Sequence, residues 1–272
     1  MQRLRSTLSF VVPPVLVAIG VFGLWYVAHY FLLDEWSRFK LPTPDKVITD
    51  GFGNEKVIDN LLRGFVITAR LSFIGLLVAI AIGVLAAILM SQSKVIERTL
   101  FPYAVVMQTL PLFALVPLFG IWWGFGLFSQ TVICVLIGLF PIITNTLFGL
   151  QSTDSQQHDL FTLRGASRWT RLVKLQIPAS LPAMFTGFRI AAGLSVIGAV
   201  VGEFFFRRGD PEKAGLGRLI SLYNTRPVVD SPKLIAALLL SCTLGIIYFA
   251  GVSWLRGRLT SHWYVEDERK KA

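Results

Sequence analysis

The sequence predicts an all-α, polytopic membrane protein with about six transmembrane helices, and three observations carry that prediction. Of 272 residues, 54% are hydrophobic and only 15% are charged, against about 25% charged in ordinary soluble domains. The charged residues are gathered between long windows that contain no Asp, Glu, Lys or Arg. Those windows have the length, about 20 residues, at which a helix crosses the hydrocarbon core while satisfying its own backbone. The net charge of +10 does not point to nucleic acid, because the basic residues lie in short segments between apolar runs and form no single patch or stripe.

The first window, 10–33, follows Arg3 and Arg5 and is too long for the apolar region of a signal peptide, about 7–15 residues. The second expected span is 65–90, charge-free beyond Arg70. No charged residue lies between Arg98 and Asp154; that is too long for one crossing, and it divides into spans 100–123 and 127–150, with Gly124-Phe125-Gly126 as the turn. Pro111, Pro117 and Pro141 should kink these two helices, a distortion that membranes tolerate where neighbours satisfy the freed carbonyls. The fifth span is 181–206, with Arg189 inside it, and the sixth is 234–255. The whole chain, 1–272, reads as one transmembrane domain. Six crossings place both termini on one side, and segments 34–63 and 207–233 on the other. A slight excess of Lys and Arg on the terminal side, with Arg3 and Arg5 the first of them, predicts cytoplasmic termini.

Cys134 and Cys242 lie in apolar runs and read as packing residues rather than as a disulfide or metal pair. His29, His158 and His262 are far apart in sequence and read as interfacial or solvated. No Cys/His cluster has zinc spacing, so no metal site is expected.

The segment 151–180 is the one substantial loop on the terminal side. At helical spacing Arg164, Arg168 and Arg171 share one face, and Phe161, Gly165, Trp169 and Leu172 another. This predicts an amphipathic helix stopped by Pro178. One reading is a helix on the membrane surface, with its arginines on lipid phosphates. That leaves Gly165-Ala166-Ser167 unexplained, since Gly costs about 1 kcal/mol relative to Ala inside a helix. Small residues suit a second reading, in which another protein's backbone comes close.

Polar residues inside spans are costly and therefore informative. Arg189 and Glu203 lie fourteen residues apart on the fifth span, about 21 Å along a helix, too far to pair. Arg189 either snorkels to headgroup phosphates or lines a solute pathway; Glu203 either pairs with a loop arginine such as Arg207 or lines the pathway. Gln108 and Thr109 on the third span, Thr144 and Asn145 on the fourth and Ser195 on the fifth are further pathway candidates, each able to satisfy itself on its own or a neighbouring helix. The loop residues Arg207, Arg208, Lys213, Arg218 and Arg226 suit either solvation or docking of a soluble partner with acidic groups.

Gly165, followed after nine residues by Leu175-Gln176-Ile177-Pro178, resembles the signature of permease subunits of binding-protein-dependent ABC importers: Glu-Ala-Ala, three residues, Gly, nine residues, Ile-x-Leu-Pro. Asp159-Leu160-Phe161 stands where that pattern has Glu-Ala-Ala. The runs "IPASLPAMFTGFRIAAGLSVIGAVVGEFF", "PYAVVMQTLPLFALVPLFGIWWGFG", "FPIITNTLFGLQS" and "GLGRLI" are similar to the branch serving nitrate, sulfonates, taurine and certain vitamin precursors. The resemblance implies the type I importer permease fold and assigns 151–180 as the cytoplasmic loop whose coupling helix meets a separate ATPase. Asp159, Arg164, Gly165, Ala166, Ser167, Arg168 and Arg171 would form that contact. It also implies a second permease chain, as a homodimer, two ATPase copies, and an extracytoplasmic substrate-binding protein that Arg207, Arg208, Arg218 and Arg226 would help dock. ATP and Mg would bind the ATPase: this chain contains no Gly-Lys pair, which a phosphate-binding loop requires, so it is expected neither to be an enzyme nor to hold a cofactor. A stand-alone channel or secondary transporter would lack a use for the small-residue loop and should carry inverted repeats, which the two halves do not display. A membrane-integral enzyme would need paired carboxylates, a His cluster or an activated nucleophile, and no such arrangement is evident.

Overall fold

Charge-free apolar windows become helices because no other open structure satisfies its backbone in lipid. In the computed structural model, which describes residues 2–206 and 214–269, with side chains over 12–206 and 214–259, the chain is helical almost throughout, with no strand among the described residues. α1 (Gln2–Val27) ends in a π-helical turn, Ala28–Leu32. A 3₁₀ turn (Glu35–Lys40), the short α2 (Pro44–Lys46) and a second π turn (Val47–Phe52) lead to α3 (Glu55–Gln92). α4 (Lys94–Thr109), α5 (Leu112–Trp123) and α6 (Leu127–Gln151) follow. α7 (Ser155–Leu163), α8 (Arg168–Arg171) and a π turn (Leu172–Gln176) lead into α9 (Ile177–Phe205). α10 (Leu216–Tyr223) and α11 (Pro227–Arg269) complete the fold.

Five of these stretches are long and apolar enough to cross a membrane, and six cross if the bent pair α4–α5 is one broken span. The pair corrects the expectation of a kinked third helix. Its two arms meet at 99°, and neither, at about 24 and 18 Å long, crosses a core of about 30 Å by itself. The break has a local cause. Pro111 offers no N–H and pushes the residue before it out of helical geometry, and Leu110 is extended at φ −63°, ψ 133°. Pro117 and Pro141, by contrast, sit inside continuous helices.

The core is three helices thick, with α6 packed between α3 and α9. Small residues let the backbones approach: a Cβ on Gly198 would stand 2.9 Å from Cys134 Cα, and one on Gly187 would stand 2.7 Å from the Pro141 carbonyl oxygen. With no hydrophobic drive between helices in lipid, such van der Waals closeness is what holds spans together. Cys134 is fully buried at this crossing, as a packing residue, whereas Cys242 is exposed on α11. α11 packs on α9, and the Tyr248 hydroxyl ties it to α3 through a 2.5 Å bond to the Ala69 carbonyl.

α1 stands apart, with 6% of its apolar window buried. Among its described side chains, the bonds to the rest of the chain come from its final turns. Trp25 Nε1 donates to the Pro42 carbonyl (2.9 Å), Tyr26 donates to Asp45 Oδ1 (3.0 Å), and His29 Nδ1 lies 2.6 Å from the Leu41 carbonyl. His29 is therefore buried, not solvated. Ser231 at the start of α11 donates to the Phe39 carbonyl. These bonds build a cap at one end of the bundle; α7 and α8 occupy the other.

Candidate functional site

At the break between α4 and α5, a cavity of about 460 Å³ opens against α6 and α9. Irregular backbone at membrane depth is tolerated where it lines a cavity, and the break supplies that. The lining includes Gln108, Phe140, Thr144, Asn145 and Ile190. The Thr144 hydroxyl donates to the Phe140 carbonyl (2.9 Å), and Asn145 Nδ2 donates to the Pro141 carbonyl (2.8 Å). The amide of Gln108 has no such partner and is exposed. Among the described residues, no charged side chain lines the cavity.

The other pathway candidates lie elsewhere. Thr109 is exposed and bonds its own helix at the Val106 carbonyl (2.9 Å). Ser195 is fully buried and bonds the Ala192 carbonyl. Arg189 is not among the cavity's lining residues; its guanidinium stacks 4.8 Å over the Phe249 ring of α11, a cation–π contact that gains strength away from water.

Glu203 is 3% exposed, and its carboxylate is enclosed by the chain itself. Thr68 Oγ1 donates to it (2.8 Å to Oε2), as does the Gly217 N–H (2.9 Å), while the Leu216 N–H donates to Thr68 Oγ1 (2.8 Å). A carboxylate near a helix N-terminus meets unpaired N–H groups and the positive end of the helix dipole, so Glu203 and Thr68 together cap α10. This explains "GLG": a Cβ on Gly215 would collide with the Glu203 carboxylate, and one on Gly217 with the Val200 carbonyl. The partner sequence reasoning missed was Thr68, 135 residues away. Arg207, Arg208 and Lys213 lie outside the described residues. Arg218 is half-buried on α10, and Arg226 is exposed just before α11. The ion pairs Asp59–Arg63, Lys94–Glu97 and Asp230–Lys233 each lie within a single helix.

The loop is not the single amphipathic helix expected. Gly165 adopts φ +68°, a left-handed conformation that costs an L-residue with a Cβ roughly 1–2 kcal/mol, and it ends α7. The Gly165 N–H bonds the Thr162 carbonyl and the Ala166 N–H bonds the Phe161 carbonyl, both at 2.9 Å, the paired bonds of a Schellman cap. Ser167 then caps α8 by accepting the Thr170 N–H at 3.1 Å. Gly165 is thus demanded by the turn, and Ser167 by the next helix. The signal was present as a Gly two residues before a Ser, a stop followed by a start. Nor does Pro178 stop the helix: it sits in the first turn of α9, where a missing N–H costs nothing.

The turn projects from the bundle. A Cβ on Gly165 would meet nothing within 4 Å, and beside it Leu163 is 87% exposed and Trp169 71% exposed. Asp159, Arg164, Ser167 and Arg168 are exposed, while Ala166 and Arg171 are half-buried. Two large apolar side chains are thus displayed on a polar loop, next to a bare glycine.

Comparison with known proteins agrees with this geometry. Residues 79–261 match the family described as binding-protein-dependent transport system inner membrane component. The chain is 38% identical to the formylaminopyrimidine transport permease protein ThiX of Halalkalibacterium halodurans, over 71% of this chain and 74% of that one. It is 35% identical to the riboflavin transport system permease protein RibX of Chloroflexus aurantiacus, over 62% and 60%. It is 25% identical to the nitrate import permease protein NrtB of Synechococcus elongatus, over 91% and 89%. By the family match and these relatives, the chain belongs to the inner-membrane permease components of binding-protein-dependent ABC transport systems.

Proposed function

We propose that this chain pairs with a second copy of itself to form the solute pathway, and that the α7–α8 turn is the point at which each copy meets one of two ATPase subunits. The observation that carries the reading is the turn itself: open space at Gly165 flanked by exposed Leu163 and Trp169. Gly165, Ala166 and Ser167 make the close approach, and Asp159, Arg164, Arg168 and Arg171 supply the charged surround. The turn then lies in the cytoplasm, as do both termini. The cap end faces outward, where Arg218 and Arg226, with Arg207 and Arg208, meet the binding protein. ATP and Mg²⁺ act in the ATPase, and this chain performs no hydrolysis; closure of the ATPases drives a rigid-body change between discrete packings of the spans. An apolar groove of about 660 Å³ between α9 and α11, lined by Gly193, Gly245 and their neighbours, supports a second chain at that face.

The cavity at the helix break supports a solute class. With two amides, a hydroxyl, an aromatic ring and no charge among the described lining residues, it suits an uncharged heterocycle better than a bare anion, whose desolvation it would not offset. That favours a solute of the formylaminopyrimidine kind over nitrate. Gln108, with its free amide, and Asn145 face this solute.

The test is to tag the chain, extract it in mild detergent and identify what co-purifies in stoichiometric amount. The wild type should carry an ATPase. Gly165→Leu strains the turn and fills the space, whereas Gly165→Asn keeps a left-handed residue and only fills the space. Loss of the ATPase from both variants supports close docking; retention with full transport by both contradicts it.

A further inference from the structure

Beneath the α7–α8 turn, where α3 ends and α9 begins, is a pocket of about 170 Å³ lined by Ser91, Gln92, His158, Arg168, Arg171 and Gln176. Its hydrogen-bond balance is one-sided. Gln92 Nε2 already serves Ser91 Oγ (3.1 Å) and Gln176 Oε1 (3.2 Å), and the Ser91 hydroxyl already donates to the Ile88 carbonyl. One Arg171 nitrogen reaches Thr162 Oγ1 at 3.2 Å. The groups left over are mainly donors: the Gln176 amide nitrogen, the rest of the Arg171 guanidinium and the whole of the Arg168 guanidinium, against one amide acceptor, Gln92 Oε1. His158 adds an imidazole. No carboxylate lines the pocket, and among the described residues neither arginine has an acidic partner.

We infer that this pocket binds a phosphate group. Two guanidinium forks present the planar donor geometry that phosphate oxygens accept in pairs, and the Gln176 amide and one imidazole nitrogen of His158 can add further donors. The source favoured by position is the headgroup of an anionic lipid. Gln92 is the last residue of α3, and Gln176 immediately precedes α9, so the pocket opens at the level where two spans leave the bilayer. A phosphate held there clasps α8 to the inner ends of α3 and α7, and so sets the attitude of the turn offered to the ATPase. The inference rests on the docking reading for its consequence, not for its chemistry.

The experiment uses the complete importer in nanodiscs of phosphatidylcholine with or without phosphatidylglycerol. It compares wild type, Arg168→Gln/Arg171→Gln and, as a charge-matched control away from the pocket, Arg98→Gln. Lipid retained by the chain is read by native mass spectrometry, and binding-protein-stimulated ATPase activity is read alongside. Wild type and Arg98→Gln should retain phosphatidylglycerol and gain several-fold in stimulated activity from it; the double variant should do neither. Millimolar inorganic phosphate added to phosphatidylcholine discs separates the sources: if it reproduces the gain the pocket takes free phosphate, and if it does not the lipid is the ligand. Equal retention and equal gain in the double variant overturn the inference. So does unchanged lipid retention by the double variant when the ATPase is lost, which would leave the arginines to the docking contact alone. If the wild type carries no ATPase, the docking reading fails, and lipid retention still decides the pocket.

Discussion

The two ends of the bundle treat their charges in opposite ways. At the cap end, Glu203 is buried and saturated: Thr68 and the N-terminus of α10 give its carboxylate donors from within the chain. At the loop end, Arg168 and Arg171 crowd a pocket that contains no acid. A buried charge without partners costs several kcal/mol, so a saturated one fastens elements together. A charge left unbalanced near the surface costs little by itself and is available to something outside the chain. The difference separates the residues that build this permease from the residues through which it meets its surroundings.

Breaking the saturated end should have the largest effect. Glu203→Ala leaves the Gly217 N–H and the Thr68 hydroxyl buried without their acceptor; with each hydrogen bond to a charged group worth about 1.5–3 kcal/mol, the loss should be about 3 kcal/mol or more. The measurement is the yield and thermal midpoint of monodisperse protein in detergent. Gly217→Ala attacks the same site by bulk, driving a Cβ against the Val200 carbonyl, and should cost about 1–3 kcal/mol in the same assay.

At the loop end the same assay should hardly move. Ala166→Trp adds bulk beside the projecting turn without touching the core, so the thermal midpoint should stay within about 0.5 kcal/mol of wild type, while binding-protein-stimulated ATPase activity falls to the basal rate. If stability falls with it, the contrast between the two ends is lost. The smallest effect belongs to the cavity. Gln108→Leu removes an amide that no protein group needs, so stability and ATPase coupling should hold while solute uptake into proteoliposomes drops several-fold, about 1 kcal/mol.

Much of this fold was legible in the sequence, because charge is excluded from lipid wherever a helix lacks a partner for it. The absence of charge between Arg98 and Asp154 marked a pair of spans, and Gly124-Phe125-Gly126 marked their turn. Pro111 was legible as a distortion, but its 99° size was not, since how far a helix breaks depends on what packs around it; Pro141, with the same chemistry, breaks nothing. At the loop, periodicity concealed a stop and a start, because 3.6-residue spacing continues across a short turn and says nothing of φ at Gly165. Glu203 was visible as an anomaly, yet its partner Thr68 lies on another helix, and long-range pairing leaves no local trace in a single sequence. Arg189 likewise found a partner sixty residues on, the ring face of Phe249 rather than a carboxylate.

The central claim is that the α7–α8 turn is the contact with an ATPase. It is tested most directly by placing photo-reactive benzoyl-phenylalanine at position 166, irradiating membranes that contain the whole importer, and identifying the adduct by mass spectrometry, with Trp36 at the cap end as the matched site. The account predicts an ATPase adduct from position 166 and none from position 36. An adduct of position 166 with lipid alone, in membranes where the ATPase is present, would contradict it.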